Sequence, residues 1–172
     1  VTGKKQGLFE NGIKEGLWNY YHDNGQLHEK GNYKKNIKDG DWISYTNKGE
    51  LIYKGSYNQG IKEGDWVESS SWMDYSKFYM FKNYYTYKNG KIDGLYETKY
   101  RNGQVKYKGF IKNGKQEGKF VEYTSKGKIY EIKHYKNSQL NGLYSRYDSD
   151  GKVSRGYFKD GKKEGKWVVY GF

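Results

Sequence analysis

Asn11-Gly12-Ile13-Lys14-Glu15-Gly16-Leu17-Trp18 returns 48 residues later as Gln59-Gly60-Ile61-Lys62-Glu63-Gly64-Asp65-Trp66. It returns again as Asn113-Gly114-Lys115-Gln116-Glu117-Gly118-Lys119-Phe120 and as Asp160-Gly161-Lys162-Lys163-Glu164-Gly165-Lys166-Trp167, with weaker copies centred on Gly40, Gly94 and Gly142. The anchor glycines Gly16, Gly40, Gly64, Gly94, Gly118, Gly142 and Gly165 are spaced 24, 24, 30, 24, 24 and 23. Self-similarity at a fixed period of this length marks a repeat architecture.

Other positions keep step with the anchor. An aromatic stands two residues after each one: Trp18, Trp42, Trp66, Tyr96, Phe120, Tyr144 and Trp167. Nine residues after it a second glycine recurs (Gly25, Gly49, Gly103, Gly127, Gly151), and eleven after it an aliphatic residue (Leu27, Leu51, Val105, Ile129, Val153). One hairpin per repeat accounts for this. A strand such as 17–22 runs into Asp23-Asn24-Gly25, where Asn or Gly accepts positive φ, and 26–34 returns. No stretch holds a 3.6-residue period, so almost no helix is predicted. A lone hairpin is unstable in water, so neighbours must pair. The predicted fold is all-β, an elongated single-layer antiparallel β-meander, a solenoid of tandem hairpin repeats. At about 4.8 Å per strand it is roughly 65 Å long. One array fills 1–172, with a partial repeat at 1–10, repeats beginning near 11, 35, 59, 89, 113, 137 and 160, and six extra residues within 69–85.

Composition agrees. Hydrophobic residues make up 34% of the chain, and more than half of them are aromatic: 21 Tyr, 7 Phe and 5 Trp. Low aliphatic content with 30% charge resembles disorder, but disordered segments lack rings. The core is therefore expected to be thin and aromatic. With 24 Gly and no Pro, glycine makes the turns, and zero Cys removes disulfides and thiolate metal sites.

Tyr53-Lys54-Gly55-Ser56-Tyr57 followed by Gly60-Ile61-Lys62-Glu63-Gly64 resembles the MORN repeat signature, Y-x-G-x-aromatic and then G-x-x-x-G. Tyr107-Lys108-Gly109-Phe110-Ile111 with Gly114 to Gly118 repeats it, with Ile111 in place of the ring. The Gly-Lys-x-Glu-Gly-x-Trp-x-x-Tyr phrasing is similar to the bacterial variant found in YwqK-type antitoxins. The resemblance covers essentially the whole chain and implies an interaction scaffold.

No catalytic residue, cofactor or metal site is called for. Acids precede the anchors at Glu15, Asp39, Glu63, Asp93, Glu117 and Glu164. At about 10 Å between repeats they are too far apart for calcium, whose oxygens lie within about 2.6 Å of the ion. They are expected to accept backbone N–H bonds in their own loops, near neutralising lysines. His22, His28 and His134 lack a metal-ligand spacing, although His22 and His28 fall on opposite strands of one hairpin and could approach each other. The Gly-x-x-x-Gly strings join strands and precede no helix, so they are not phosphate loops. The series Trp18, Trp42, Trp66 is expected to pack along the sheet and stay partly exposed beside lysines, leaving an aromatic groove.

The insertion gathers both Met residues and many rings. Trp72, Tyr75, Lys77, Phe78, Tyr79, Phe81, Lys82, Tyr84 and Tyr85 are the candidate partner-binding residues. The competing reading is a longer hairpin filling a gap in the array. The net charge of +12 favours acidic partners. Three functions follow: a non-enzymatic scaffold for a protein or acidic surface polymer, an antitoxin or immunity protein, and an electrostatic binder of anionic membrane or nucleic acid. Lysine dominance, with arginine only at 101, 146 and 155, suits diffuse attachment more than base readout. The compartment is unknown, with export or the cell surface of a bacterium favoured over the cytoplasm. A start at Val1 leaves room for upstream sequence, and an end at Phe172, inside a repeat, leaves room for end-to-end self-association.

Overall fold

An Asn-Gly or Asp-Gly pair a few residues before an anchor, as at 11–12, 89–90, 113–114 and 160–161, demands a tight reversal, and the structure places a reversal before each of the seven anchors. The computed structural model describes residues 3–74 and 77–170, with side chains except at 71–74 and 77–80. Fifteen strands and no helix occur among the described residues. They are β1 (Lys5–Glu10), β2 (Ile13–Tyr21), β3 (Leu27–Lys34), β4 (Ile37–Tyr45), β5 (Leu51–Asn58), β6 (Ile61–Asp74) and β7 (Lys77–Lys88). After them come β8 (Lys91–Tyr100), β9 (Val105–Lys112), β10 (Lys115–Tyr123), β11 (Ile129–Lys136), β12 (Gln139–Leu140), β13 (Gly142–Tyr147), β14 (Val153–Lys159) and β15 (Lys162–Val168). They form one open antiparallel sheet in chain order, with β12 paired to β11 alone and β13 resuming the ladder after Asn141.

Two turn types alternate. Along one edge run two-residue turns with both residues at positive φ, the type I′ geometry whose twist matches the strands. Asn11-Gly12 has φ of 50° and 77°, Asn113-Gly114 has 50° and 79°, and Lys35-Asn36 holds 52° and 64° without a glycine. Along the other edge run three-residue loops. The His22 N–H donates to the Gln26 carbonyl at 2.8 Å and the Gly25 N–H to the His22 carbonyl at 2.9 Å. The same closure recurs at Thr46–Glu50, Tyr100–Gln104, Thr124–Lys128 and Asp148–Lys152. The anchor glycine is a bulge. Asn32 faces Asp39 while Gly31 faces Trp42, so Gly40 and Asp41 stand out from β4, with Gly40 at φ 72°.

A single-layer sheet buries its core by laying rings across it. Trp42 and Trp66 are each 1% exposed and Phe120 is fully covered. Trp42 lies on Gly31 of the preceding strand, where a Cβ would come within 2.1 Å of the ring, and Trp66 lies on Gly55 in the same way. Tyrosines stand edge-on between the indoles: Tyr33 to Trp42 at 5.0 Å and 86°, and Tyr57 to Trp66 at 5.0 Å and 90°. The outer face is closed by lysine, with Lys38 Nζ 3.8 Å over Trp42 and Lys62 Nζ 4.2 Å over Trp66. The indoles of Trp18, Trp42 and Trp66 also donate to a carbonyl of the preceding strand, Trp42 to Asn32 at 3.0 Å. The expected groove of half-exposed tryptophans is therefore absent, because glycine beneath, tyrosine beside and lysine above bury each of these indoles.

The acids hold hairpin to hairpin. Glu15 accepts from the Lys35 N–H at 2.8 Å, Asp39 from Gln59 at 3.1 Å, Glu63 from Asn89 at 2.8 Å, Asp93 from Asn113 at 3.1 Å and Glu117 from Asn137 at 3.0 Å. Every donor belongs to the next type I′ turn, not to the acid's own loop as expected. The second turn amide donates to the previous repeat as well, as Gly60 N–H does to the Lys38 carbonyl at 2.8 Å. Stacked turns bring these groups together.

Candidate functional site

The period breaks at β6 and β7, which run 14 and 12 residues against nine and eight in β4 and β5. Their pairing continues without a register shift from Gly64↔Tyr87 to Asp74↔Lys77. Pairing of β6 with β5 reaches no further than Glu68, and pairing of β7 with β8 no further than Phe81. The six extra residues are thus extra rungs of a two-stranded ribbon that projects past both neighbours on the three-residue-loop edge.

Side-chain alternation divides the candidate residues between two faces. Tyr85 pairs with Trp66 and shares the indole face with Phe81, whereas Lys82 and Tyr84 lie opposite. Phe81 is buried at 8% exposure, 5.9 Å from Tyr100 and beneath Lys106 Nζ at 4.2 Å. It stands 13 residues before Gly94, as Leu51 does before Gly64, so it is a core position of the repeat and not part of the insertion. Tyr85 stacks on Tyr96 at 5.9 Å and 8°, and its hydroxyl donates to Glu68. Burial, and then that hydrogen bond, raise its pKa well beyond the ordinary phenol range. Both residues serve the sheet. Lys82 is exposed, and Tyr84 carries Lys99 Nζ 4.7 Å over its ring, with Lys99 paired to Glu97 at 2.9 Å. The candidate side chains of Trp72, Tyr75, Lys77, Phe78 and Tyr79 lie outside the described residues.

Where the ribbon leaves the sheet, a recess of about 350 Å³ opens, lined by Leu51, Phe81, Lys82, Tyr84, Tyr100 and Arg101 among others. It joins apolar walls to a rim on which Lys82, Lys99 and Arg101 outnumber the one acid, Glu50. A larger open recess of about 840 Å³, not foreseen from the sequence, lies near the C-terminal end of the same edge. Tyr130, Tyr147 and Tyr170 line it with Lys128, Arg146 and Lys152, and the Arg146 guanidinium sits 5.1 Å over Tyr130. The signal for it was weak, because its residues come from three repeats and nothing in the spacing brings them together. His22 and His28 do meet, with ring centroids 4.5 Å apart, and His22 Nε2 lies 2.9 Å from the Tyr45 carbonyl. Among the described residues no three metal-ligating side chains cluster.

A family profile described as "MORN repeat variant" matches at 14–35, 38–59, 92–113 and 116–137, slightly more than half of the chain. The chain belongs to the MORN repeat variant family. MORN repeats are binding repeats associated with protein or membrane partners and are not a known enzyme family. The gap between the second and third MORN matches contains the projecting ribbon. No curated protein matches the chain.

Proposed function

We propose that this MORN array is a non-enzymatic scaffold whose projecting β6–β7 ribbon grips a partner protein. One observation carries the reading: the ribbon is the segment of the described sheet whose backbone pairing extends past both neighbours, in rungs that the repeat does not require. The recess at its base supports the reading with apolar walls and a lysine and arginine rim, the mixture that suits an anchor side chain bearing an acid nearby. An antitoxin is one form of such a scaffold, implied by the resemblance to YwqK-type proteins and checked by rescue of growth on co-expression with a toxic neighbouring gene.

The test uses the array's own loop. Residues 70–80 are replaced by Thr-Asn-Lys-Gly-Glu, the sequence at 46–50, which restores the 24-residue spacing. Cross-linked partners are then compared between this variant, Trp72→Ala/Tyr79→Ala and the wild type at about 0.3 M salt, where exposed charges are screened beyond a few ångströms. A partner held by wild type and lost by both variants supports the ribbon; equal retention by all three ends the proposal.

A further inference from the structure

The net charge is not shared along the array. Residues 1–86 carry 12 lysines against 11 acids, whereas residues 87–172 carry 20 lysines and arginines against 9 acids, so +11 of the +12 lies in the second half. Much of it is concentrated at the type I′ turns. In the second half, lysine faces lysine across these turns, as Lys88↔Lys91, Lys112↔Lys115 and Lys159↔Lys162. The equivalent pairs of the first half are Glu10↔Ile13, Lys34↔Ile37 and Asn58↔Ile61. All six paired lysines are exposed, and the ion pairs of the described residues involve other lysines. The nearest acids are engaged elsewhere, with Asp93 and Glu117 on turn amides and Asp160 on Asn141.

Like charges directly opposite one another destabilise a strand pair. The first half shows that the fold does not need them, since Ile or Asn fills the same place. We propose that this edge binds a linear, phosphate-bearing polyanion that runs along the stacked turns. Successive turns are about 10 Å apart, so four of them, including the one beside Lys136, offer a ladder about 30 Å long and one hairpin wide. These turns read Lys-Asn-Gly-Lys, Lys-Asn-Gly-Lys, Lys-Asn-Ser-Gln and Lys-Asp-Gly-Lys and hold no apolar side chain to enter a bilayer. Sheets also twist by about 20° per strand, so a flexible chain follows such an edge better than a flat membrane meets it.

The experiment measures anisotropy of a labelled 30-nucleotide single-stranded oligonucleotide of mixed sequence, with inorganic polyphosphate as competitor and phosphatidylserine vesicles as a separate arm. Wild type is compared with Lys88→Glu/Lys112→Glu/Lys159→Glu and with Lys48→Glu/Lys126→Glu/Lys152→Glu, which changes net charge equally on the opposite edge. Circular dichroism confirms that both variants fold. The turn variant is expected to bind at least about tenfold more weakly and with a shallower salt slope, each phosphate contact contributing about −0.7 to that slope, while the control stays within about threefold. Displacement by polyphosphate assigns recognition to phosphate alone, and its failure assigns it to a phosphodiester chain. Equal weakening in both variants, no polymer binding by wild type at about 50 mM salt, or capture by vesicles without polymer binding overturns the proposal.

Discussion

Gly31→Ala is a small change at a crowded place. Gly31 has an ordinary strand backbone, so alanine fits the chain, and the cost comes from one contact. The added Cβ would lie 2.1 Å from Cδ2 of Trp42. Carbon atoms pack at about 3.5–4.0 Å, so the indole must move by roughly 1.5 Å. It is held by Tyr33 at 5.0 Å and Lys38 at 3.8 Å. Overpacking of this kind costs about 1–3 kcal/mol, and the upper end applies because three sides are occupied. A ceiling of about 5 kcal/mol is set by exposing some 200 Å² of ring at about 25 cal/mol per Å². The assay is urea unfolding followed by far-UV circular dichroism in wild type, Gly31→Ala, Trp42→Ala and the double variant. With the indole gone, the extra methyl is expected to be neutral or to stabilise by about 0.4–1 kcal/mol through the unfolded chain. The cycle should therefore show a coupling of about 2–4 kcal/mol. A Gly31→Ala cost that is the same with and without Trp42 would refute the reasoning.

Glu117→Ala removes the acceptor of the Asn137 N–H and is expected to lower stability by about 1 kcal/mol, with faster hydrogen exchange at Asn137 and most of the loss restored by Glu117→Gln; unchanged exchange would show that the carboxylate does not hold the turn. Alkaline pH should loosen the array, because burial and then the hydrogen bond shared with Tyr20 push Tyr33 up to about 12, and burial and then the hydrogen bond to Glu131 push Tyr144 up to about 12. Both values lie above the unfolded phenol's, near 10. The stability they confer is complete below about pH 10 and is lost as pH rises through about 12. The thermal midpoint should fall across that window and fall less steeply in Tyr33→Phe/Tyr144→Phe; identical slopes would count against the assignment.

The sheet was legible because its punctuation is chemical. Left-handed turn positions call for Asn, Asp or Gly, and these recur on a fixed beat. The coupling of glycine to indole was present in the same letters but needed the register. Gly7, Gly31, Gly55, Gly109 and Gly156 each stand nine residues before an anchor and beneath Trp18, Trp42, Trp66, Phe120 and Trp167. Where the ring is a tyrosine the floor is not glycine: Tyr85 faces Tyr96, and Lys133 holds the place nine residues before Gly142. That substitution marks Tyr85 as a repeat position adapted to a smaller partner ring, which counting toward Gly94 would have revealed. The reach of each carboxylate into the next turn was not legible, since it depends on how turns stack, a distance that sequence spacing does not contain. Of the described candidate residues, Phe81, Lys82 and Tyr84 border one recess although they come from both faces of the strand, because the recess lies at the sheet's edge, whereas Tyr85 packs on Tyr96.

These assignments narrow where function can reside. Glycine floors, indoles, edge-on tyrosines, capping lysines and turn-seeking acids all hold one hairpin against the next, and replacing any of them loosens that contact. Among the positions that this stacking leaves free are the tip of a hairpin and the residues flanking a type I′ turn. The chain departs from its period at both. It lengthens one hairpin into a ribbon beyond its neighbours, and it turns the flanks of the later turns from Ile or Asn to opposed lysines, against the local preference of the strand pair. A departure that brings no folding advantage is the place to look for a ligand. The two sites lie on opposite edges of the sheet, so one array can hold a protein at its ribbon while a polyanion lies along its turns, and neither need displace the other.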